Sequence, residues 1–90
     1  MENKQYTYET FGTCAKYIVF EVDEAQRLHN VRFIGGCSGN TQGVGALVEG
    51  MEASEVCKRL AGIRCGAKPT SCPDQLAKAI EKYTAQDNRC

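Results

Sequence analysis

Hydrophobic positions in the first third of the chain alternate with polar ones. Ile18, Phe20 and Val22 fall on one side of a run from Cys14 to Asp23, and Tyr17, Val19 and Glu21 on the other. That period of two, with β-branched and aromatic residues, predicts a β-strand. Tyr6, Tyr8 and Phe11 alternate more loosely with Thr7, Glu9 and Thr10 and predict a first strand, broken by Gly12-Thr13. Asp23 to Asn30 is polar and reads as a turn. Val31 to Ile34 then predicts a third strand, with Val31 and Phe33 on one face.

If strands two and three form an antiparallel hairpin, pairing Phe20 with Val31 and Ile18 with Phe33 brings both apolar faces together, and burial of one face fixes register. The same register sets Val22 opposite His29 at one end and Cys14 opposite Cys37 at the other. Directly opposed residues have Cβ atoms roughly 5 Å apart, so two thiols distant in sequence are expected to meet there.

After Gly35-Gly36-Cys37-Ser38-Gly39-Asn40 the spacing becomes helical. Val44, Leu47 and Val48 predict a short helix over 41–49, closed by Gly50, although Gly43 and Gly45 weaken it. Val56, Leu60 and Ile63 predict a second helix over 51–60, with Gly62 as its stop. Leu76, Ala77, Ala79, Ile80 and Tyr83 predict a third, running to about Ala85. It opens with Ser71 or Cys72 at the N-cap, Pro73 at the first helical position and Asp74 in the first turn. Strands first and helices after predict an α+β fold: a three-stranded antiparallel sheet with two to three helices packed on one face.

Ninety residues make one domain, residues 1–90. Eleven basic and eleven acidic residues cancel, so no large field attracts nucleic acid. No apolar run reaches membrane-spanning length, and Met1 to Tyr6 lacks the apolar centre of a signal peptide. The expectation is a cytoplasmic protein. Six cysteines are then too many to ignore, since a reducing compartment turns them toward metal, catalysis or burial.

Four of them, Cys14, Cys37, Cys65 and Cys72, sit at element ends that a sheet packed on a helix can bring together. Four thiolates suit zinc or, less readily, an iron–sulfur cluster. A thiol pair exchanging with a partner's disulfide is the redox alternative, and simple burial is the third. Cys57, mid-helix beside Val56 and Leu60, reads as core; Cys90 reads as a free terminal thiol. His29, the only histidine, falls in a polar turn and reads as solvent-exposed. Asp74 reads as a helix cap rather than a general acid. The glycine-rich stretch lacks the Walker pattern and a complete dinucleotide fingerprint. What remains is a backbone anion nest around Gly36, Ser38, Gly39 and Asn40, a candidate for binding a nucleotide.

Thr70-Ser71-Cys72-Pro73-Asp74 spells the signature of the TSCPD domain family. Gly12-Thr13-Cys14, Phe33-x-Gly35-Gly36-Cys37-x-Gly39-Asn40 and Leu60-x-Gly62-Ile63-x-Cys65-Gly66-x-Lys68 resemble the same family pattern in the same order, from Gly12 to Ile80. The chain resembles the stand-alone form of a domain also found at the C-terminus of adenosylcobalamin-dependent ribonucleotide reductases. The resemblance implies a tie to deoxyribonucleotide synthesis, to ribonucleoside-diphosphate reductase and to nucleotide binding. A chain this short has no room for the reductase barrel and radical cofactor, so an accessory module docking on a reductase or another protein is expected. The family pattern carries cysteines at the positions of Cys14, Cys37, Cys65 and Cys72, and none at Cys57 or Cys90. A weaker similarity is to NifU-like iron–sulfur scaffolds, through Lys68 and the run from Cys72 to Ile80. The scaffold's histidine is replaced by Ser71, so only the fold analogy carries over.

Overall fold

The computed structural model describes residues 3–13, 15–35, 38–64 and 66–83, with backbone only for 38–40. β1 (Lys4–Glu9), β2 (Ala15–Val22) and β3 (Leu28–Gly35) form an antiparallel meander in the order β1-β2-β3. Three helices follow: α1 (Ser38–Val48), α2 (Ala53–Leu60) and α3 (Cys72–Tyr83). The fold is α+β, as the hydrophobic pattern predicts.

One side of the sheet is buried. Ile18, Phe20 and Val22 of β2 and Leu28 and Val31 of β3 join Val48, Val56, Leu76, Ala79 and Ile80 of the helices in a single core. Tyr17 and Ile34, opposite one another on β2 and β3, stay exposed on the other side. Period-two burial on the strands and helical spacing on α3 thus meet in one apolar layer. The core supplies the main driving force, since full burial of a Leu, Ile or Phe side chain contributes about 1.5–3 kcal/mol.

At the far end of α3, Tyr83 stacks on Tyr6 at 4.8 Å between ring centroids and meets Tyr8 edge-on at 6.4 Å. Its hydroxyl donates to the Thr7 carbonyl at 2.9 Å, fixing α3 to β1. Tyr6 and Tyr8 are the half-buried residues of β1, whereas Phe11, expected to continue their pattern, lies beyond the strand and is exposed.

The register matches expectation at its centre and departs from it at both ends. Ile18 pairs with Phe33. Between Val19 and Glu21 the ladder shifts, so His29 faces Glu21, and Val22 faces Leu28 rather than His29. Asn30, at φ 54°, lies within this bulge, and asparagine tolerates the left-handed region better than most residues. A second shift between Ala15 and Tyr17 sets Ala15 opposite Gly35, where the unbroken register needs Gly36. The expected Cys14–Cys37 pairing itself lies outside the described residues. β3 also starts three residues earlier than its apolar run suggests. Asp23 closes the turn by accepting from the Ala25 and Arg27 amides through Oδ1, at 2.8 and 3.0 Å, which leaves Leu28 free to enter the core.

Gly45 has a packing reason. A Cβ built on it would stand 2.7 Å from the Val31 carbonyl oxygen, whereas one on Gly43 would meet nothing within 4 Å. α1 crosses β3 at a distance only a glycine allows. Gly45→Ala is therefore expected to destabilise the fold by about 1–3 kcal/mol through a forced backbone shift. Gly43→Ala is expected to gain about 0.5–1 kcal/mol from helix propensity alone. Urea unfolding of the two variants checks the opposite signs.

Candidate functional site

The start of α3 is the most heavily bonded polar region described. Ser71 is the N-cap: its Oγ accepts from the Asp74 amide at 3.1 Å, so Cys72 is the first helical residue and Pro73 the second, one position later than expected. In an ordinary capping box the third-residue carboxylate reaches back to the N-cap amide. Asp74 is turned elsewhere. Its Oδ1 accepts from the Gly62 amide at 2.7 Å, and its Oδ2 accepts from the Thr70 hydroxyl. Lys78, one turn on, stands 3.8 Å from the same carboxylate. Ser71 Oγ also donates to the Ile63 carbonyl at 2.6 Å. The cap thus holds the loop that leaves α2.

The same residues hold the loop between β1 and β2. Gln75 is buried; its Nε2 donates to Thr70 Oγ1 at 3.0 Å and its Oε1 accepts from the Phe11 amide at 3.1 Å. Gly12, at φ 71°, comes so near Thr70 that a Cβ would meet Thr70 Cγ2 at 3.1 Å. Thr70, Ser71, Asp74 and Gln75 are all buried, and among the described residues no buried side-chain polar atom lacks a partner.

Of the four cysteines expected to form a site, Cys72 alone is described. It is a half-buried free thiol on the first turn of α3. Cys14, Cys37 and Cys65 lie outside the described residues, as do Gly36 of the candidate anion nest and Cys90. Their described sequence neighbours are nonetheless tied together. Phe11 and Gly12, just before Cys14, bond or pack against Gln75 and Thr70; Gly62 and Ile63, before Cys65, bond Asp74 and Ser71. Gly35, before Cys37, pairs with Ala15, the residue after Cys14. Ser38, Gly39 and Asn40 form the first turn of α1, three residues ahead of its expected start. Among the described residues, no group of three His, Cys, Asp or Glu side chains is placed to hold a metal ion.

Cys57 is buried, as expected, and is also disulfide-bonded, which its core position in the sequence did not suggest. Cys72 is free, so the partner of Cys57 is not among the described residues. Cys57 Sγ lies 3.3 Å from the Ala77 carbonyl oxygen. A disulfide sulfur has no proton, so this is a packing contact between α2 and α3 and not a hydrogen bond.

His29 departs most from its sequence reading. It is half-buried, with Nε2 2.7 Å from Asp23 Oδ2 and Nδ1 2.7 Å from Glu49 Oε2. Hydrogen bonds to the two carboxylates raise its pKa above the ordinary 6.5. The Asp23 carboxyl is held low, first by the Arg27 amide and then by His29, and the Glu49 carboxyl by the Asn30 amide and then by His29. Only the position of Glu49 at the end of the predicted helix hinted at the contact.

Asp74→Ala strands the Gly62 amide and the Thr70 hydroxyl. An unsatisfied buried donor costs about 1–3 kcal/mol, so a loss of about 2–4 kcal/mol is expected. Asp74→Asn keeps one acceptor and is expected to lose less. Lys78→Ala, which removes only an exposed partner, is expected to change stability by under about 0.5 kcal/mol. Denaturant unfolding of the three variants reads the order.

No curated protein and no solved structure matches the chain. The family described as TSCPD domain matches residues 2–84, nearly the whole sequence, and the motif that carries its name is the buried cap and its cysteine at the start of α3. The chain belongs to the TSCPD domain family.

Proposed function

We propose that this domain is an accessory module of a ribonucleotide reductase, built around one metal ion held by Cys14, Cys37, Cys65 and Cys72. The family tie to these reductases supports the partner. The observation that carries the metal reading is the convergence of the cysteines' neighbours. The residues just before Cys14 and Cys65 are bonded directly to the cap residues beside Cys72, and Gly35 and Ala15 link the approaches to Cys37 and Cys14. Four thiolates are a closed tetrahedral donor set for zinc and leave no open position for chemistry, and this reading requires that none of the four is the partner in the Cys57 disulfide. Bound there, the metal would supply a crosslink among β2, β3, the α2–α3 loop and α3. Thr70, Ser71, Asp74 and Gln75 do the local work of fixing the backbone on which those thiols are presented. A small domain gains much of its stability from such a link.

The disulfide on Cys57 favours a second reading, in which the domain serves its partner as a thiol reductant. Two cysteine thiolates of this chain would pass two electrons to a partner's disulfide, closing a disulfide here and leaving a dithiol there. A free, half-buried Cys72 on a rigid helix start is a suitable attacking thiol. The anion nest at Gly36, Ser38, Gly39 and Asn40 would give either form a contact for a nucleotide phosphate.

Metal content by mass spectrometry, with a parallel thiol count on protein purified without chelator under nitrogen, separates the readings. The metal reading expects about one equivalent of zinc, four thiols protected until denaturation, and a melting temperature that a chelator lowers by about 10 °C or more. Metal-free protein whose melt ignores chelator overturns it. Dithiothreitol-reversible oxidation, with transfer to a partner disulfide lost in Cys72→Ser, would then carry the redox reading.

A further inference from the structure

The clasp around His29 lies at the opposite end of the β2–β3 hairpin from the cysteines' neighbours, by the pairing of Val22 with Leu28 at one end and Ala15 with Gly35 at the other. Both imidazole nitrogens stand at hydrogen-bonding distance from carboxylate oxygens, and the two carboxylates come from different elements. Asp23 belongs to the β2–β3 turn and Glu49 follows the last residue of α1. Only an imidazolium has a proton on each nitrogen. A neutral ring serves one carboxylate and turns a lone pair toward the other.

The two carboxylates are not held equally. Asp23 Oδ1 takes both the Ala25 and Arg27 amides and shapes the turn. Glu49 is the more exposed and has one backbone anchor, the Asn30 amide at 2.9 Å, within the β3 bulge. The charged surroundings favour the cation. Glu21 faces His29 across the ladder and takes the Asn3 and Asn30 side-chain amides. Glu24 lies on the turn, and Glu52, in the segment after α1, pairs with Arg27 through the backbone. Against these stand Lys4, paired with Val22 on β1, and Arg27, whose Nη1 is committed to the Gly50 carbonyl at 2.8 Å.

We propose that His29 is a pH-operated clasp: as imidazolium it ties the end of α1 to the β2–β3 turn, and on losing its proton it keeps Asp23 and releases Glu49. The raised pKa of His29 means that its contribution is complete below the unfolded value near 6.5 and is lost as pH rises through the higher folded value. The lowered carboxyls act in the opposite sense. Their contribution holds above their ordinary 3.8 and 4.5 and is lost as pH falls. The clasp is therefore fullest in mildly acidic solution, and its release is the alkaline limb. Leu47 and Val48 adjoin Glu49, so release loosens a turn whose Val48 is buried in the core and whose Leu47 is exposed.

An NMR titration of the full chain from about pH 5 to about pH 9 tests this, following the His29 ring nitrogens and, after correction for intrinsic base catalysis, amide exchange at Leu47 and Val48. The expected result is a midpoint above 6.5, both ring nitrogens protonated below it, and exchange at these amides at least about threefold faster above it. Glu49→Gln is expected to lower the midpoint, and His29→Gln to abolish the step. A midpoint at or below 6.5, or equal protection on both sides of it, overturns the proposal, and the wild-type titration alone decides between these outcomes.

Discussion

The carboxylate of Asp74 is the point on which the packing of this small domain turns. It is buried on the first turn of α3, where the helix dipole favours negative charge, and it spends its oxygens on another part of the chain. By accepting from the Gly62 amide and the Thr70 hydroxyl, it fixes the exit of α2 against the entry of α3. Ser71, relieved of any reciprocal bond from Asp74 to its own amide, caps the helix with one contact and holds Ile63 with another. A buried polar network of this kind is worth having only if it is complete, and this one is complete among the described residues.

That network also gives each polar side chain of the five-residue motif a structural task in this chain. Thr70 is needed as a donor to Asp74, as an acceptor from Gln75 and as the methyl surface against Gly12. Serine in its place would keep the first two and lose the third. Pro73 costs the helix nothing because its missing amide is one of the unpaired first-turn donors. Cys72, like Pro73, makes no side-chain hydrogen bond among the described residues, and it is the member of the motif with chemical reactivity.

What was legible in the sequence was local. Alternation over Ile18, Phe20 and Val22, the helical stripe of α3 and the capping chemistry of Ser71 and Asp74 each declare themselves within one element, where neighbouring residues set the period. What was not legible depends on residues far apart. Leu28-His29-Asn30 looks like turn because two of its three residues are polar, yet Leu28 is core and His29 is held by a glutamate twenty positions away. Each bulge adds one residue to one strand, a change that alternation over so short a run does not encode. Gly45 weakens α1 by propensity, and only the nearness of the Val31 carbonyl shows that the weakness is required. For the cysteines, the expected meeting place lies outside the described residues, and what is described is that Thr70 to Gln75 bond the segments preceding Cys14 and Cys65.

The His29 clasp and the segment beside Cys37 lie at opposite ends of α1. α1 starts one residue after Cys37 in sequence, and Glu49 follows its last residue at the other end of the hairpin. Eleven helical residues span about 16 Å, so α1 runs from the approach to the cysteines to the histidine clasp. Between them it is pinned at Gly45 against Val31, a contact too close to slide. Loosening the last turn is therefore expected to move little of α1 on the N-terminal side of that pin. The Gly45 contact thus divides α1 into a part fixed against β3 and a last turn that ends at the histidine clasp. A partner that recognised α1 would meet both, the fixed part unchanged and, by the clasp, the last turn following pH.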